Sequence, residues 1–240
     1  MSNFNAETLV GDLAAAQPAS IRVFQRFGID FCCGGKKPLG EVCREHDVSY
    51  EQLADALSNA ELPRDEANWV EAPVGQLVDH IISRYHDTLR QELPRLQAMA
   101  AKVNDVHGAK IPDIFPQLNA VLRELAEDLD SHMAKEEMIL FPAIKELGEA
   151  KQQARAPRTR FPLGALRMPM SVMEQEHEHA GELLGTLREL TGGYEPPDWA
   201  CNTFRGLYSG LADLERDLHV HVHLENNILF PRTAQLEQSF

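Results

Sequence analysis

Apolar residues recur at the three- and four-residue spacing of amphipathic helices along almost the whole of this 240-residue chain. Alternation of the kind that marks a β-strand is scarce. The pattern predicts three short helices and then four long ones: Leu9 to Ala16, Ile21 to Phe27, Tyr50 to Leu57, 72–105, 113–147, 169–191 and 197–234. We therefore expect an all-α fold in which a small helical region precedes a four-helix bundle.

Two segments interrupt the helical pattern. The stretch 62–68 is polar and contains Pro63, which predicts a boundary between a small domain at 1–61 and the bundle at 70–240. The stretch 150–167 carries five basic residues and no acidic one. It reads most simply as a solvated loop that crosses between helices, and a docking patch for an acidic partner is the alternative.

An internal repeat places polar residues on a buried helix face. In the second long helix, residues at alternating steps of four and three form the stripe that a bundle packs against its neighbours. Adding 89 to each number finds the same seven residue types in the fourth helix, and both copies end in Ile-Leu-Phe-Pro. The first copy is Leu118, Leu122, Leu125, Leu129, His132, Glu136 and Ile139. The second is Leu207, Leu211, Leu214, Leu218, His221, Glu225 and Ile228. A buried carboxylate needs a compensating charge, so each His-Glu pair predicts a bound cation.

The first and third long helices each add one histidine to this face. His86 and His177 have apolar residues at the same offsets of −4, +7 and +10, which places both in the core. Aligning His179 instead would put a threonine and a glutamate at the last two of these positions. The apolar register therefore selects His177 rather than His179.

Four imidazoles and two carboxylates form a distinctive set of ligands. They are too many for one tetrahedral zinc ion, and calcium or magnesium would not select four nitrogen donors. The set divides into two ions that share two bridging carboxylates, each ion keeping two imidazoles and room for a bridging oxide or an added ligand. Iron suits these donors best, and manganese is second. The predicted ligands are His86, His132, Glu136, His177, His221 and Glu225.

These motifs resemble known proteins. The His-x-x-x-Glu helices that close on Ile-Leu-Phe-Pro resemble the hemerythrin-like four-helix bundle, although oxygen-carrying hemerythrins use five histidines where this chain offers four in register. The chain is also similar to the RIC family (repair of iron centres) over nearly its full length. The matching stretches are Asp30 to Lys36, Arg84 to Asp87, Ser131 to Glu137, Ser171 to Glu174, Glu176-His177 and Leu224 to Asn227.

The resemblance implies an antiparallel, hemerythrin-like bundle with two non-haem iron ions per chain, bridged by carboxylates and by an oxide or hydroxide. It makes the four core histidines terminal ligands and makes Glu136 and Glu225 the bridges. The implied function is repair of iron–sulfur clusters after nitrosative or oxidative damage, by supplying or exchanging iron. The implied partners are damaged iron–sulfur proteins, with nitric oxide or oxygen species as small ligands.

The pair Cys32-Cys33 lies in the region that the resemblance assigns to the small domain. Two glycines and two lysines follow it, which predicts an accessible, electropositive turn that favours the thiolate. On that interpretation the two thiols accept or relay iron, a nitroso group or electrons. The alternative is that they are small buried apolar residues.

The net charge and the hydropathy of the chain limit the partners and the cellular location that we expect. The 23 basic and 37 acidic residues give a net charge of −14, which argues against nucleic-acid binding. The chain has no apolar run of membrane-spanning length and no export signal, so we expect a cytoplasmic protein without a membrane partner. A di-iron nitric oxide or peroxide reductase and a sensor of diatomic gases would use the same ligands. The prediction is a non-enzymatic repair or iron-donor protein, with di-iron redox activity as the alternative. A homodimer is a further alternative to a single chain.

Overall fold

The fold was examined in a computed structural model that describes residues 4–60 and 68–240. Within these two ranges the regular structure is helical, and the only β-type pairing is an isolated bridge between Leu9 and Pro38. The prediction of an all-α protein is confirmed. No helix in the described ranges is long and apolar enough to cross a membrane. The predicted boundary at 62–68 falls almost wholly outside the described residues, so the division into 1–61 and 70–240 stays a prediction.

Four short helices precede the long ones. They are α1 Val10–Ala16, α2 Ala19–Phe27, α3 Leu39–Glu45 and α4 Tyr50–Ser58. The α-helices that follow are α5 Val74–Ile81, α6 Asp87–His107, α7 Phe115–Lys135, α8 Phe141–Gln152, α9 Arg167–Leu190, α10 Asn202–His223 and α11 Phe230–Gln238. Helix α3 was not predicted.

Wider π-helical turns interrupt three of the four predicted long helices. They are π1 Ile82–His86, π2 Glu136–Leu140 and π3 Leu224–Leu229. A π turn holds more residues than an α-helical turn. The side chains that follow it are therefore rotated relative to those that precede it. The prediction that Ile139 lies on the buried stripe is wrong, since Ile139 is 40% exposed, whereas its counterpart Ile228, which also lies in a π turn, is only 5% exposed.

The chain divides into two compact units. The first unit comprises Met1–Asp79, Ala143–Arg167 and His219–Phe240, and the second comprises His80–Pro142 and Met168–Leu218. The core of the second unit draws on α6, α7, α9 and α10, so four helices pack around one apolar centre. The eight leucines of the internal repeat all lie in this core and are at most 5% exposed, which confirms the predicted stripe up to the histidines.

In the first unit the small helices pack onto the end of the last long helix. Asn227 of π3 donates from Nδ2 to the carbonyl oxygens of Phe31 and Cys32, at 3.2 Å each. Helix α1 crosses π3 closely enough that a Cβ on Gly11 would lie 2.5 Å from Asn227 Oδ1. Glycine at position 11 is therefore required by this crossing.

The basic stretch 150–167 lies within the first unit, where two carboxylates accept hydrogen bonds from it. Glu146 accepts from Arg155 Nη2 at 3.1 Å and from the backbone N–H of Arg158 at 2.6 Å. Glu237 accepts from the backbone N–H of Gly164 at 2.8 Å. The segment is an ordered loop, and its predicted role as a docking patch stays untested.

Candidate metal centre

The π turns lie at three of the predicted ligands. His86 is the last residue of π1, Glu136 is the first of π2, and Glu225 is the second of π3. His132 and His221 occupy the last turns of α7 and α10. Each His-x-x-x-Glu pair therefore spans the junction between an α-helix and a π turn.

Four of the six predicted ligands meet inside the second unit. His132 and His177 approach through their Nε2 atoms at 3.0 Å. The Oε2 atom of Glu136 lies 3.4 Å from Nε2 of His86 and 3.4 Å from Nε2 of His132. All four side chains are at most 3% exposed. The buried carboxylate thus stands among imidazole nitrogens, as the register of the sequence predicted.

The other two predicted ligands form a pair in the first unit. His221 Nε2 lies 3.1 Å from Glu225 Oε1, and the two side chains are 1% and 0% exposed. The i, i+4 spacing brings them together across one helical turn. Their arrangement repeats that of His132 and Glu136, as expected from the internal repeat.

The donor set fits a transition-metal ion such as iron. Burying a carboxylate costs several kcal/mol unless a positive charge compensates it, and Glu136 is fully buried. The His132 and His177 Nε2 atoms converge on the same region, and one cation can accept both lone pairs. Imidazole and carboxylate donors suit iron, and the oxygen-preferring ions calcium and magnesium are poorly matched.

A carboxylate on the outer side of His86 orients its ring. Nδ1 of His86 lies 2.7 Å from Glu137 Oε1, and Arg90 Nη2 donates to the same oxygen at 2.7 Å. Burial raises the pKa of Glu137, but the hydrogen bonds from His86 and Arg90 outweigh burial and hold it below its usual value. The carboxylate therefore keeps the proton of His86 on Nδ1 and leaves Nε2 for a metal.

His132 has an equivalent outer partner. Its Nδ1 lies 2.9 Å from Glu176 Oε2, while Lys135 donates to Glu176 Oε1. Burial raises the pKa of Glu176, yet the bonds from Lys135 and His132 lower it overall. Sequence reasoning missed both outer carboxylates. Glu137 directly follows one predicted ligand and Glu176 directly precedes another, but neither position indicates which histidine the carboxylate contacts.

A cavity of about 310 Å³ reaches two of the imidazoles. His132 and His177 line it together with Glu176 and Lys135, and three polar residues on its exposed side are Glu124, Asp128 and His179. His179 is 47% exposed, as predicted for a histidine that faces outward. The cavity is large enough for water or a small ligand to approach the predicted metal ligands.

The turn that carries the vicinal cysteines differs from its prediction. Cys32 is buried, and Asp30 Oδ1 accepts from the backbone N–H groups of Cys32 and Cys33 at 2.9 and 3.0 Å. The hydrogen bond with Cys33, burial and the charge of Asp30 raise the pKa of Cys32 well above its usual value. The expectation of an electropositive turn that favours the thiolate is therefore wrong for Cys32. The relay role stays a hypothesis.

Two histidines on the last long helix face the small helices. The ring centroid of His223 lies 5.6 Å from that of Phe31, and His219 lies 6.2 Å from the same ring. Burial lowers the pKa of His223 to about 4, so this side chain is neutral at physiological pH. Both residues contact Phe31 of the N-terminal region, and His223 is buried while His219 is half-buried.

Comparisons with known families agree with this architecture. The family described as "Hemerythrin HHE cation binding domain" matches residues 77–233. A second family, ScdA_N, a domain of unknown function, matches residues 6–61. The first match spans the segments that carry all six predicted metal ligands, and the second spans the four short helices and the vicinal cysteines.

Curated relatives are similar over almost the whole chain. The "Iron-sulfur cluster repair protein YtfE" of Pectobacterium atrosepticum is 40% identical over 232 residues, which cover 95% of this chain and 97% of the relative. The protein of the same name from Salmonella paratyphi B is 39% identical over 223 residues, covering 93% and 94%. The resemblance that the motifs suggested is thereby confirmed. The chain belongs to the hemerythrin HHE cation-binding family, in which these iron–sulfur cluster repair proteins are its relatives.

Proposed function

We propose that this protein repairs iron–sulfur clusters damaged by nitrosative or oxidative stress, and that it does so by supplying ferrous iron. The observation that carries the proposal is the buried Glu136 carboxylate, which lies 3.4 Å from the Nε2 atoms of both His86 and His132. The curated relatives are named as iron–sulfur cluster repair proteins, which supports proteins with damaged iron–sulfur clusters as the clients that receive the iron.

The proposed centre holds two non-haem iron ions per chain. Its terminal ligands are the histidines 86, 132, 177 and 221, and its bridges are Glu136 and Glu225. The internal repeat supports this assignment, because both copies supply a buried histidine and a buried glutamate four residues later. When bound, the ions supply exchangeable iron and redox chemistry.

The side chains of this centre suit release as well as binding. Imidazole and carboxylate are weaker iron ligands than the thiolates of a cluster-binding protein, so transfer to thiolates is favourable. Glu137 and Glu176 hold protons on the outer nitrogens of His86 and His132, which keeps the inner nitrogens available. The fold therefore binds iron without thiolates and shields it among buried side chains.

A reconstitution experiment tests the proposal. The protein is loaded anaerobically with ferrous iron and mixed with inorganic sulfide and a client that has lost its cluster, and recovery of the client's cluster absorbance is followed. We expect recovery with the wild type and none with His132→Ala/His221→Ala. His179→Ala is the matched control, because it removes an exposed histidine of α9 and should retain activity. Equal recovery from the double variant would refute the proposal.

Metal content is the second test. Protein purified without oxygen should carry about two iron ions per chain, with optical and Mössbauer spectra typical of a non-haem di-iron centre. Zinc as the only bound metal would contradict the proposed centre.

A reductase is the alternative function, and one observation favours it. The cavity that reaches His132 and His177 would admit nitric oxide or peroxide to the centre. A reductase would consume many equivalents of gas or peroxide with a supplied reductant and without any client protein. A gas sensor would instead bind one equivalent without turnover.

A further inference from the structure

The carboxylates of Glu137 and Glu176 contact the outer nitrogens of their histidines in the same way. They differ in the cation that binds each carboxylate. Glu137 receives His86 and Arg90 on the same oxygen, at 2.7 Å each. Arg90 is also held from the other side, where its Nη1 lies 3.4 Å from Asp87. In Glu176 the two oxygens have different partners: Oε2 contacts His132, and Oε1 accepts from Lys135.

The cations that support the two carboxylates have different chemistry. The guanidinium of Arg90 is planar and weakly hydrated, so it holds a carboxylate in a defined orientation. The ammonium of Lys135 is a compact, strongly hydrated charge on a flexible stem. Solvent exposure does not separate the two ion pairs, since Lys135 is 39% exposed and Arg90 is 38% exposed, and the difference lies in the chemistry of the two cations. The support of His132 is therefore the easier of the two to loosen.

Solvent access distinguishes the same two histidines. The cavity of about 310 Å³ is lined by His132, His177, Glu176 and Lys135. His86 is fully buried, and its ring stacks on Phe141 with centroids 5.7 Å apart. An acceptor that enters the cavity thus meets the nitrogen donors of His132 and His177 and the carboxylate of Glu176, which orients His132.

The charge at the exposed side of the cavity favours a cation. Asp128 Oδ2 and Glu124 Oε1 lie 3.4 and 3.7 Å from His179 Nε2, and both carboxylates are about half exposed. Negative side chains around an opening raise the local concentration of cations and lower that of anions. The opening is suited to a passing ferrous ion.

We infer that the iron ion bound by His132 and His177 is the exchangeable one, and that Glu176 is the positioning residue that sets its rate of release. The inference rests on the proposed function, because it takes iron to be the bound metal. In the release step, His132 and His177 would give up their Nε2–iron bonds, and Glu136 and Glu225 their oxygen–iron bonds to this ion, while donor atoms of the acceptor form new ones. The iron stays ferrous, so no electron moves and no oxidant or reductant is needed.

Release kinetics test this inference without a client. The full chain is loaded anaerobically with two equivalents of ferrous iron, and an excess of a coloured ferrous chelator is added. The wild type should release iron in two phases of equal amplitude. Glu176→Gln should accelerate only the fast phase, by about 10–100-fold, the range seen when outer partners of metal ligands are lost. Glu137→Gln, the matched variant, should accelerate only the slow phase.

A third variant guards against loss of the fold. Lys135→Gln keeps the Glu176 carboxylate and removes only its outer partner, so it should accelerate the fast phase by a smaller factor. The far-ultraviolet circular dichroism of each metal-free variant verifies folding, and Lys135→Gln decides the matter if Glu176→Gln fails to fold. An unchanged fast phase, or equal acceleration of both phases, would overturn the inference. Failure of the wild type to retain two irons would instead contradict the proposed function.

Discussion

Glu136 is the residue whose substitution we expect to weaken metal binding most. It is fully buried, and its Oε2 atom lies 3.4 Å from each of two imidazole nitrogens. We expect Glu136→Gln to remove most of the stabilisation that ferrous iron confers. That stabilisation is about 2.7 kcal/mol at a free-ion concentration of 100 Kd, or about 5–10 °C in Tm. Anaerobic thermal unfolding with and without iron measures it.

The control for this variant lies beside another predicted ligand. Glu178 follows His177 directly but is exposed, so Glu178→Gln should keep the full iron-dependent rise in Tm. A rise in Glu136→Gln as large as in the wild type would show that this carboxylate does not bind the metal.

Residue-level prediction worked where helical periodicity carries the information. His177 and His179 differ by two positions, and only His177 shares the apolar register, which the structure bears out by burying His177 and exposing His179. The outer partners were missed because they depend on contacts between helices. Glu176 reaches His132 across 44 positions, and no spacing along one helix reports such a contact.

At the scale of elements, the π turn π2 sets the direction of a ligand. Deleting Met138 from π2 should restore α-helical hydrogen bonding and rotate the residues on one side by about 100° relative to the other. Met138 is 71% exposed, so its side chain contributes little packing. We expect the deletion to keep most of the helix content and to lose iron binding, as measured by circular dichroism and metal analysis.

A point substitution separates the backbone effect from the side chain. Met138→Ala leaves the number of residues unchanged and should bind iron like the wild type. Iron binding that survives the deletion would mean that the π geometry of this turn is dispensable.

The basic loop gives a pH dependence at the same scale. Hydrogen bonds from Arg155 and Arg158 lower the pKa of Glu146 from 4.5 to about 2. A carboxylate with a lowered pKa stabilises the fold above its unfolded pKa, and the effect is lost as pH falls through the folded pKa. Protection of the Arg158 amide from hydrogen exchange should therefore begin to fall below about pH 4.5 and be mostly lost near pH 2.

The substitution Glu146→Ala should abolish that protection already at neutral pH. The control is Glu149→Ala, because Glu149 lies 3.9 Å from Arg155, whereas the Arg158 amide donates to Glu146. Unchanged protection in Glu146→Ala would show that another group holds the loop.

Element boundaries were predictable for some short helices and less so for the long ones. Helices α2 and α4 end within one residue of their predicted ends, whereas the last long helix begins at Asn202 and not at the predicted position 197. The π turns were not predicted, because the same residues at the same spacing fit an α-helix equally well.

For the whole molecule, a close crossing in the first unit limits what position 11 can hold. Gly11→Ala would place a Cβ 2.5 Å from Asn227 Oδ1 and 3.1 Å from the carbonyl oxygen of Gly35. Overpacking of this kind costs about 1–3 kcal/mol, so we expect a lower free energy of unfolding in urea. Gly185→Ala is the control, because a Cβ there has no neighbour within 4 Å and alanine favours the helix. Equal stability of the two variants would contradict the requirement.

The all-α architecture could be predicted from periodicity alone, because each long helix repeats its apolar stripe several times. The attachment of the small helices to the last helix could not. It rests on the Asn227 amide and two backbone carbonyls that are 195 and 196 positions away. A single polar side chain of this kind leaves no periodic trace in the sequence.

The Asn227 amide has a thermodynamic consequence. It belongs to the same π turn as Glu225, two residues earlier, and it holds the carbonyl oxygens of Phe31 and Cys32. If metal binding at Glu225 changes the stability of these hydrogen bonds, thermodynamic linkage requires that breaking the hydrogen bonds changes the metal affinity. The coupling energy is the same in both directions. Alkylating Cys33 would then shift the iron affinity by the same factor by which iron shifts the equilibrium that exposes Cys33. The vicinal thiols would thus report the iron occupancy of the protein.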